Sequence, residues 1–282
     1  MASNSGALFL RVLDMSKVVS YALLAEGPVN ATGAELEIFV ELWHVYLASL
    51  GIALPLAVVP IHKPHLVAMD PDLPKMSGAS EPLDHLLARV IDEHKIEAVV
   101  IAWDLTPPWD PDSEEDRYCR WNETKKLYAL LAESEALAGP WKTSCRERAD
   151  ELGRRNRPSD RRAAFTLRKH GVVAICMEPE FEALLAQDDG QIMRALGLSQ
   201  RPANGWPKRW GAPGQNPKTL LREAVVAARM SRPKPSPTKR IHGDMRTAKH
   251  AWGLHFLRSL LQQKRNLIDD HPISVRITET LR

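Results

Sequence analysis

Only three cysteines, Cys119, Cys145 and Cys176, occur in the 282 residues, and no two of them form a C-x-x-C pair. That argues against a disulfide framework or a thiolate zinc site, and it predicts free thiols of a reducing cytoplasm. Long apolar runs are missing too. None reaches the ~20 residues that a bilayer-spanning helix needs, so no membrane span is expected. Leu8-Phe9-Leu10 is followed at once by Arg11 and Asp14, which leaves no room for the apolar core of a secretion signal. No glycine-rich phosphate loop, no G-x-G-x-x-G after a strand and no G-x-S-x-G elbow occurs, which disfavours ATP hydrolysis, dinucleotide binding and a serine hydrolase. No repeat with a period of about 20–50 residues runs along the chain, which excludes a solenoid.

What is present is an ordinary globular composition, 44% hydrophobic and 26% charged, with a net charge of +3 that hides a strong asymmetry. Residues 1–145 carry 11 Lys/Arg against 21 Asp/Glu, and residues 201–282 carry 17 against 5. An acidic front joined to a basic back suggests two tasks, the basic part being a candidate surface for phosphate or an acidic partner. A merely solubilising tail is the plain alternative.

The apolar pattern alternates between short buried runs and amphipathic stretches. Residues 17–25 read as a strand ending at Glu26-Gly27-Pro28. Thr32 and Glu35 have capping-box spacing ahead of the periodic Leu36, Phe39, Val40, Trp43, Val45, Leu47 and Leu50, with Gly51 closing that helix. Residues 54–61 form a second strand whose prolines suit an edge. Pro82 opens a helix to about His94, and 96–103 is the clearest buried strand, ending at Asp104. Helices are expected near 113–138, 179–187, 217–230 and 244–265, a fourth strand at 172–177, and an extended Pro-Lys-Pro-Ser-Pro linker at 233–237. The fold class is therefore α/β, with a largely parallel, Rossmann-like sheet flanked by helices. The boundary is expected near residue 200, with a basic, helical extension over 201–282.

The carboxylates fall where such a fold places its site. Glu26 follows the first strand, Asp104 the third, and Glu178, Glu180 and Glu182 surround the end of the fourth. Ligands of open α/β sheets bind outside the carboxyl ends of the strands, at the topological switch point. Acids gathered there repel one another unless a cation offsets them, and hard oxygen donors suit Mg²⁺ or Mn²⁺. Each also has a plainer reading: Glu26 as the start of a loop, Asp104 as a turn residue, Glu180 and Glu182 as first-turn acids favoured by the helix dipole. Asp110 and Asp112 lie in a Pro/Asp loop that could fold over a metal.

Glu26-Gly27, the strand-end Asp104, and Glu178-Pro-Glu-Phe-Glu-Ala-Leu-Leu185 in that order resemble the TOPRIM fold. Glu180-Phe-Glu-Ala-Leu-Leu185, followed by Ala195-Leu-Gly197 and Asn216-Pro-Lys218, is similar to the signature of a TOPRIM-like family found in prokaryotic genomes, over roughly residues 16–230. Relatives of that fold include topoisomerases, primases and the overcoming-lysogenisation-defect nucleases. The resemblance implies a Mg²⁺- or Mn²⁺-dependent nuclease acting on DNA or RNA. Glu26 would be the general base or a metal ligand, Asp104 a ligand, and Glu180 a further ligand or positioning group. It also implies an antiphage-defence effector with a separate ABC-type ATPase partner, and it leaves homo-oligomerisation open. The third-strand signature of the fold is Asp-x-Asp, whereas this chain reads Asp104-Leu105-Thr106. Either Asp110 or Asp112 stands in for the second acid, or the domain has lost catalysis and serves as a regulatory or assembly subunit. A small-substrate phosphotransferase or phosphatase is a third reading.

Basic residues supply candidate phosphate contacts: Arg154, Arg155, Arg157, Arg161 and Arg162 in an arginine-rich stretch, and Lys208 and Arg209 between Trp206 and Trp210. Ion-paired helix surface and buried tryptophans are the alternatives. His62 and His65 have metal-ligand spacing, but Pro64 is expected to break the helix that would align their rings.

Overall fold

The computed structural model describes residues 19–28, 30, 32–74, 81–104, 121–155, 157, 164–178, 180–208, 210, 215–231 and 249–282. Four strands, β1 (Tyr21–Glu26), β2 (Ala57–Ile61), β3 (Ala98–Asp104) and β4 (Gly171–Met177), form one parallel sheet in the order β2-β1-β3-β4. Every residue of β3 is buried, as is nearly all of β1. That burial explains the continuous apolar runs, since the inner strands of a parallel sheet are covered on both faces. β2 lies at an edge, where Pro60 is tolerated; it begins at Ala57, just after the Leu56 N–H donates to the Tyr21 carbonyl of β1 at 2.8 Å.

β4 is the other edge, and two of its backbone polar groups are met by side chains. The Ala174 N–H donates to the Tyr128 hydroxyl at 2.8 Å, and the Cys176 carbonyl accepts from Arg276 at 2.7 Å. Side chains thereby cover the Ala174–Cys176 part of that edge.

Helix α1 (Ala34–Ser49) turns Phe39, Leu42, Trp43, Tyr46 and Leu47 inward, close to the periodicity read from the sequence. Its start differs from the expected capping box: Gly33 holds the N-cap at φ 55°, with no side-chain cap. Its end is as expected. Gly51 adopts φ 68°, its N–H donates to Ala48, and the Ile52 N–H donates to Leu47, which is the Schellman arrangement. The Ser49 and Leu50 carbonyls accept from the guanidinia of Arg265 and Arg282, so cations from the far end of the chain sit at the negative pole of α1.

α2 (Lys63–Met69), α3 (Leu83–His94), α4 (Trp121–Glu133) and α5 (Gly139–Arg154) follow. The helix expected over 113–138 is α4, which stops at Glu133. There the Ser134 hydroxyl donates to Asp84 and accepts from the Ala136 N–H, and it turns the chain. The helix expected over 179–187 is a single turn, α6 (Glu182–Leu185), because Asp188 caps a new helix, α7 (Asp189–Ala195), by accepting the Gln191 N–H. α8 (Pro217–Met230) matches its expected span. α9 (Lys249–Gln263) falls within its expected span of 244–265, whose first residues, 244–248, lie outside the described ones, and α10 (Asn266–Asp269) and α11 (Pro272–Leu281) follow it. Trp252, Phe256, Leu257, Ile273 and Ile277 join the same buried cluster as the sheet, so the apolar core runs from the strands into the C-terminal helices. The Tyr46 hydroxyl and Ser274 Oγ, 2.8 Å apart, tie α11 to α1 within that core. Among the described residues no helix is long and apolar enough to cross a membrane.

Candidate functional site

The chain leaves β1 to one side for β2 and returns across β1 to form β3, so the switch point lies between the carboxyl ends of β1 and β3. Those ends are Glu26 and Asp104. Glu26 Oε2 accepts the Asp104 backbone N–H at 3.0 Å, which joins the two strand ends. Gly27 is required next to it. A Cβ there would lie 2.5 Å from Cε2 of Phe39, so the α1 ring can reach the strand end only over a glycine.

The segment after β4 is pinned in two ways. The Phe181 N–H donates to Asp104 Oδ1 at 3.1 Å, and the Phe181 ring packs on Trp43 and Tyr46 of α1, with centroids 5.1 and 5.3 Å apart. With Phe181 anchored in the core, the acids on either side of it come to Asp104. One carboxylate oxygen each from Asp104, Glu180 and Glu182 lie within 4.8 Å of one another. Asp104 and Glu180 are buried, and Glu182 is partly covered.

Lys218 occupies the centre of this group. Its Nζ lies 2.9 Å from Asp104 Oδ2, 2.9 Å from Glu180 Oε2 and 3.7 Å from Glu182 Oε2. Its backbone N–H donates to Glu180 Oε1 at 2.9 Å, so Glu180 also satisfies a first-turn donor of α8. Asn216 caps that helix by accepting the Thr219 N–H. One ammonium faces three carboxylates, and the surplus is negative. Burial, aided by Asp104 and Glu180 and opposed by Lys218, pushes the Glu182 carboxyl up to about 7. Burial works against the Lys218 charge, but Glu182, Asp104 and Glu180 outweigh it and hold the ammonium above its ordinary value.

Beside the cluster opens a cavity of about 310 Å³. Glu26, Asp104, Glu182, Lys218, Arg222 and His62 line its polar part, while Trp43, Phe181, Trp252 and Phe256 floor it with rings otherwise covered by the core. His62 reaches the cavity because Pro64 does not break the helix there: it stands in the first turn of α2 and starts it. The rings of His62 and His65 meet, with 2.9 Å between their Nδ1 atoms, and His65 Nδ1 also accepts the His62 N–H at 3.2 Å. Burial holds both imidazoles below their ordinary range.

Of the acids singled out in the sequence, Asp104 and Glu180 converge with Glu182, and Glu26 stands beside them. Asp110 and Asp112 lie outside the described residues, as do Arg161, Arg162 and Arg209. Arg154, Arg157 and Lys208 are exposed. Arg155 is engaged, paired with Glu151 at 2.5 Å and lying 4.2 Å over the Phe165 ring. Trp206 is buried, and Trp210 packs on it 5.9 Å away at the edge of the core. Sequence reading named Lys218 only within the Asn216-Pro-Lys218 stretch and gave it no part in the site. Its signal was a cation in the first turn of a capped helix, where the dipole disfavours positive charge unless anions face it.

Comparison with protein-family models, with curated proteins and with solved structures finds no match to this chain.

Proposed function

We propose that this protein is a divalent-cation-dependent nuclease of TOPRIM type, cleaving phosphodiester bonds of DNA or RNA at the switch point. The observation that supports it is the convergence of Asp104, Glu180 and Glu182 within 4.8 Å, beside Glu26, at the carboxyl edge of a parallel sheet. The donor set suits Mg²⁺ or Mn²⁺: the ligand atoms are hard oxygens, and three carboxylates against one ammonium leave a surplus that a divalent charge offsets. Asp104, Glu180 and Glu182 would hold the ion. When bound, such an ion lowers the pKa of water and offsets the charge gathering on phosphate oxygens. Glu26, on the cavity wall, takes the proton of the attacking water, and Arg222 faces the phosphate. Exposed Arg154, Arg157 and Lys208 contribute contacts to the nucleic-acid backbone. The motif resemblance extends the reading to a cytoplasmic antiphage-defence effector working with an ABC-type ATPase.

One observation favours a second reading. Lys218 already fills the centre of the carboxylates, which suits a catalytically silent regulatory or assembly subunit stabilised by that ion pair. The test is cleavage of plasmid DNA and single-stranded RNA by purified protein in Mg²⁺ and in Mn²⁺. Cutting is expected, with Glu26→Ala and Asp104→Asn each reducing it about 100-fold or more. Undiminished cutting by both variants, or none with either ion, overturns the nuclease assignment.

A further inference from the structure

Lys218 stands where the divalent ion of the proposed nuclease would stand. Its Nζ is 2.9 Å from oxygens of both Asp104 and Glu180, two of the three residues whose carboxylates come within 4.8 Å of one another. Asp104, Glu180 and Glu182 would hold such an ion between them, in the volume that the ammonium takes up. The two cations exclude one another.

The backbone beneath Lys218 is held independently of its side chain. The Lys218 N–H is bonded to Glu180, and Asn216 caps the helix through Thr219. The side chain is a four-carbon stem with rotatable bonds, and it is 39% exposed, so a route out to solvent is open. The ammonium can leave while α8 stays seated.

We infer that Lys218 is a built-in competitor for the divalent cation: it holds the three carboxylates together when the ion is absent and must swing out for the ion to bind. Lys218 thereby sets how much divalent cation the site needs. This rests on the cation-dependent reading above, but its measurement is binding rather than cleavage.

The test is Mn²⁺ titration by calorimetry and by electron paramagnetic resonance, on the full chain as wild type, Lys218→Met and Lys218→Arg. Lys218→Met should bind Mn²⁺ at least about tenfold tighter than wild type, roughly 1.4 kcal/mol. Lys218→Arg, which keeps a cation in place, should not gain affinity. In chelator Lys218→Met should melt below wild type, and Mn²⁺ should restore it, because a bound ion stabilises the folded state by mass action. Equal or weaker Mn²⁺ binding by Lys218→Met overturns the proposal. If that variant does not fold in chelator, refolding with Mn²⁺ decides: recovery supports replacement of the ammonium by the ion, and failure in both conditions overturns it. Tighter binding in a protein that cuts nothing would sink the nuclease reading and keep this one. Cutting with unchanged affinity would do the reverse.

Discussion

Two cations in this molecule are handled in opposite ways. Lys218 is surrounded by Asp104, Glu180 and Glu182, more negative charge than it can offset. Arg148, on α5, is 6% exposed and pairs with no carboxylate among the described residues. Its guanidinium donates to the Thr166 carbonyl at 2.8 Å and lies 4.5 Å over the Phe165 ring. Arg155 takes the same ring at 4.2 Å. Burial holds Arg148 below its ordinary value, with Arg168 adding to the effect and Tyr128 opposing it. The Arg148 guanidinium is taken up by a carbonyl and an aromatic face, while its buried Nε finds no hydrogen-bond partner among the described residues, and no anionic surplus gathers around it. The Lys218 cluster keeps a surplus charge at the mouth of a cavity, which is where binding chemistry is to be sought.

Removing each cation tests the contrast. In chelator Lys218→Met should cost about 2–3 kcal/mol in urea denaturation. That is below the ~3–5 kcal/mol of a wholly buried pair, because Lys218 is partly solvated. A cost below about 0.5 kcal/mol would mean that water already screens the carboxylates. The next effect is in pH. The Glu182 carboxyl is pushed from 4.5 up to about 7, so folding favours its protonated form. The stability this contributes is full below pH 4.5 and is lost as pH rises through about 7. Wild type in chelator should therefore lose stability between pH 5 and 7.5, and Glu182→Gln should flatten that limb. Arg148→Met should cost about 1–2 kcal/mol relative to wild type, mainly by orphaning the Thr166 carbonyl, and that difference should be the same with and without divalent ions. Arg155→Ala should cost about 0.5–1 kcal/mol, since its ion pair with Glu151 is near the surface. Divalent ions making good the loss in either arginine variant, beyond their effect on wild type, would erase the distinction between the two sites.

The elements legible in the sequence were those whose burial is set by nearest neighbours. β1 and β3 are continuous apolar runs because both faces are covered. α8 carries its own signals, with Asn216 as cap and Pro217 in the first turn. The ends of α4 and α6 were misplaced because single side-chain bonds decide them: Ser134 with Asp84 in one case, Asp188 with the Gln191 N–H in the other. The histidine pair was misjudged for a related reason. Proline terminates a helix from within and begins one from its first turn, and local sequence does not say which applies at Pro64.

The sequence alone determined the alternation of strands and helices, the acids at strand ends and the split of charge between front and back, all of which depend on spacing and composition. Only the tertiary structure decided that Asp104, Glu180 and Glu182 share one point, that Glu26 bonds the Asp104 backbone instead of entering their group, and that Lys218 sits among them. Asp104 and Lys218 are 114 residues apart, and what joins them is the crossover that sets β3 beside β1, together with the packing of Phe181 on α1. Such contacts arise from long-range packing, which no local pattern encodes.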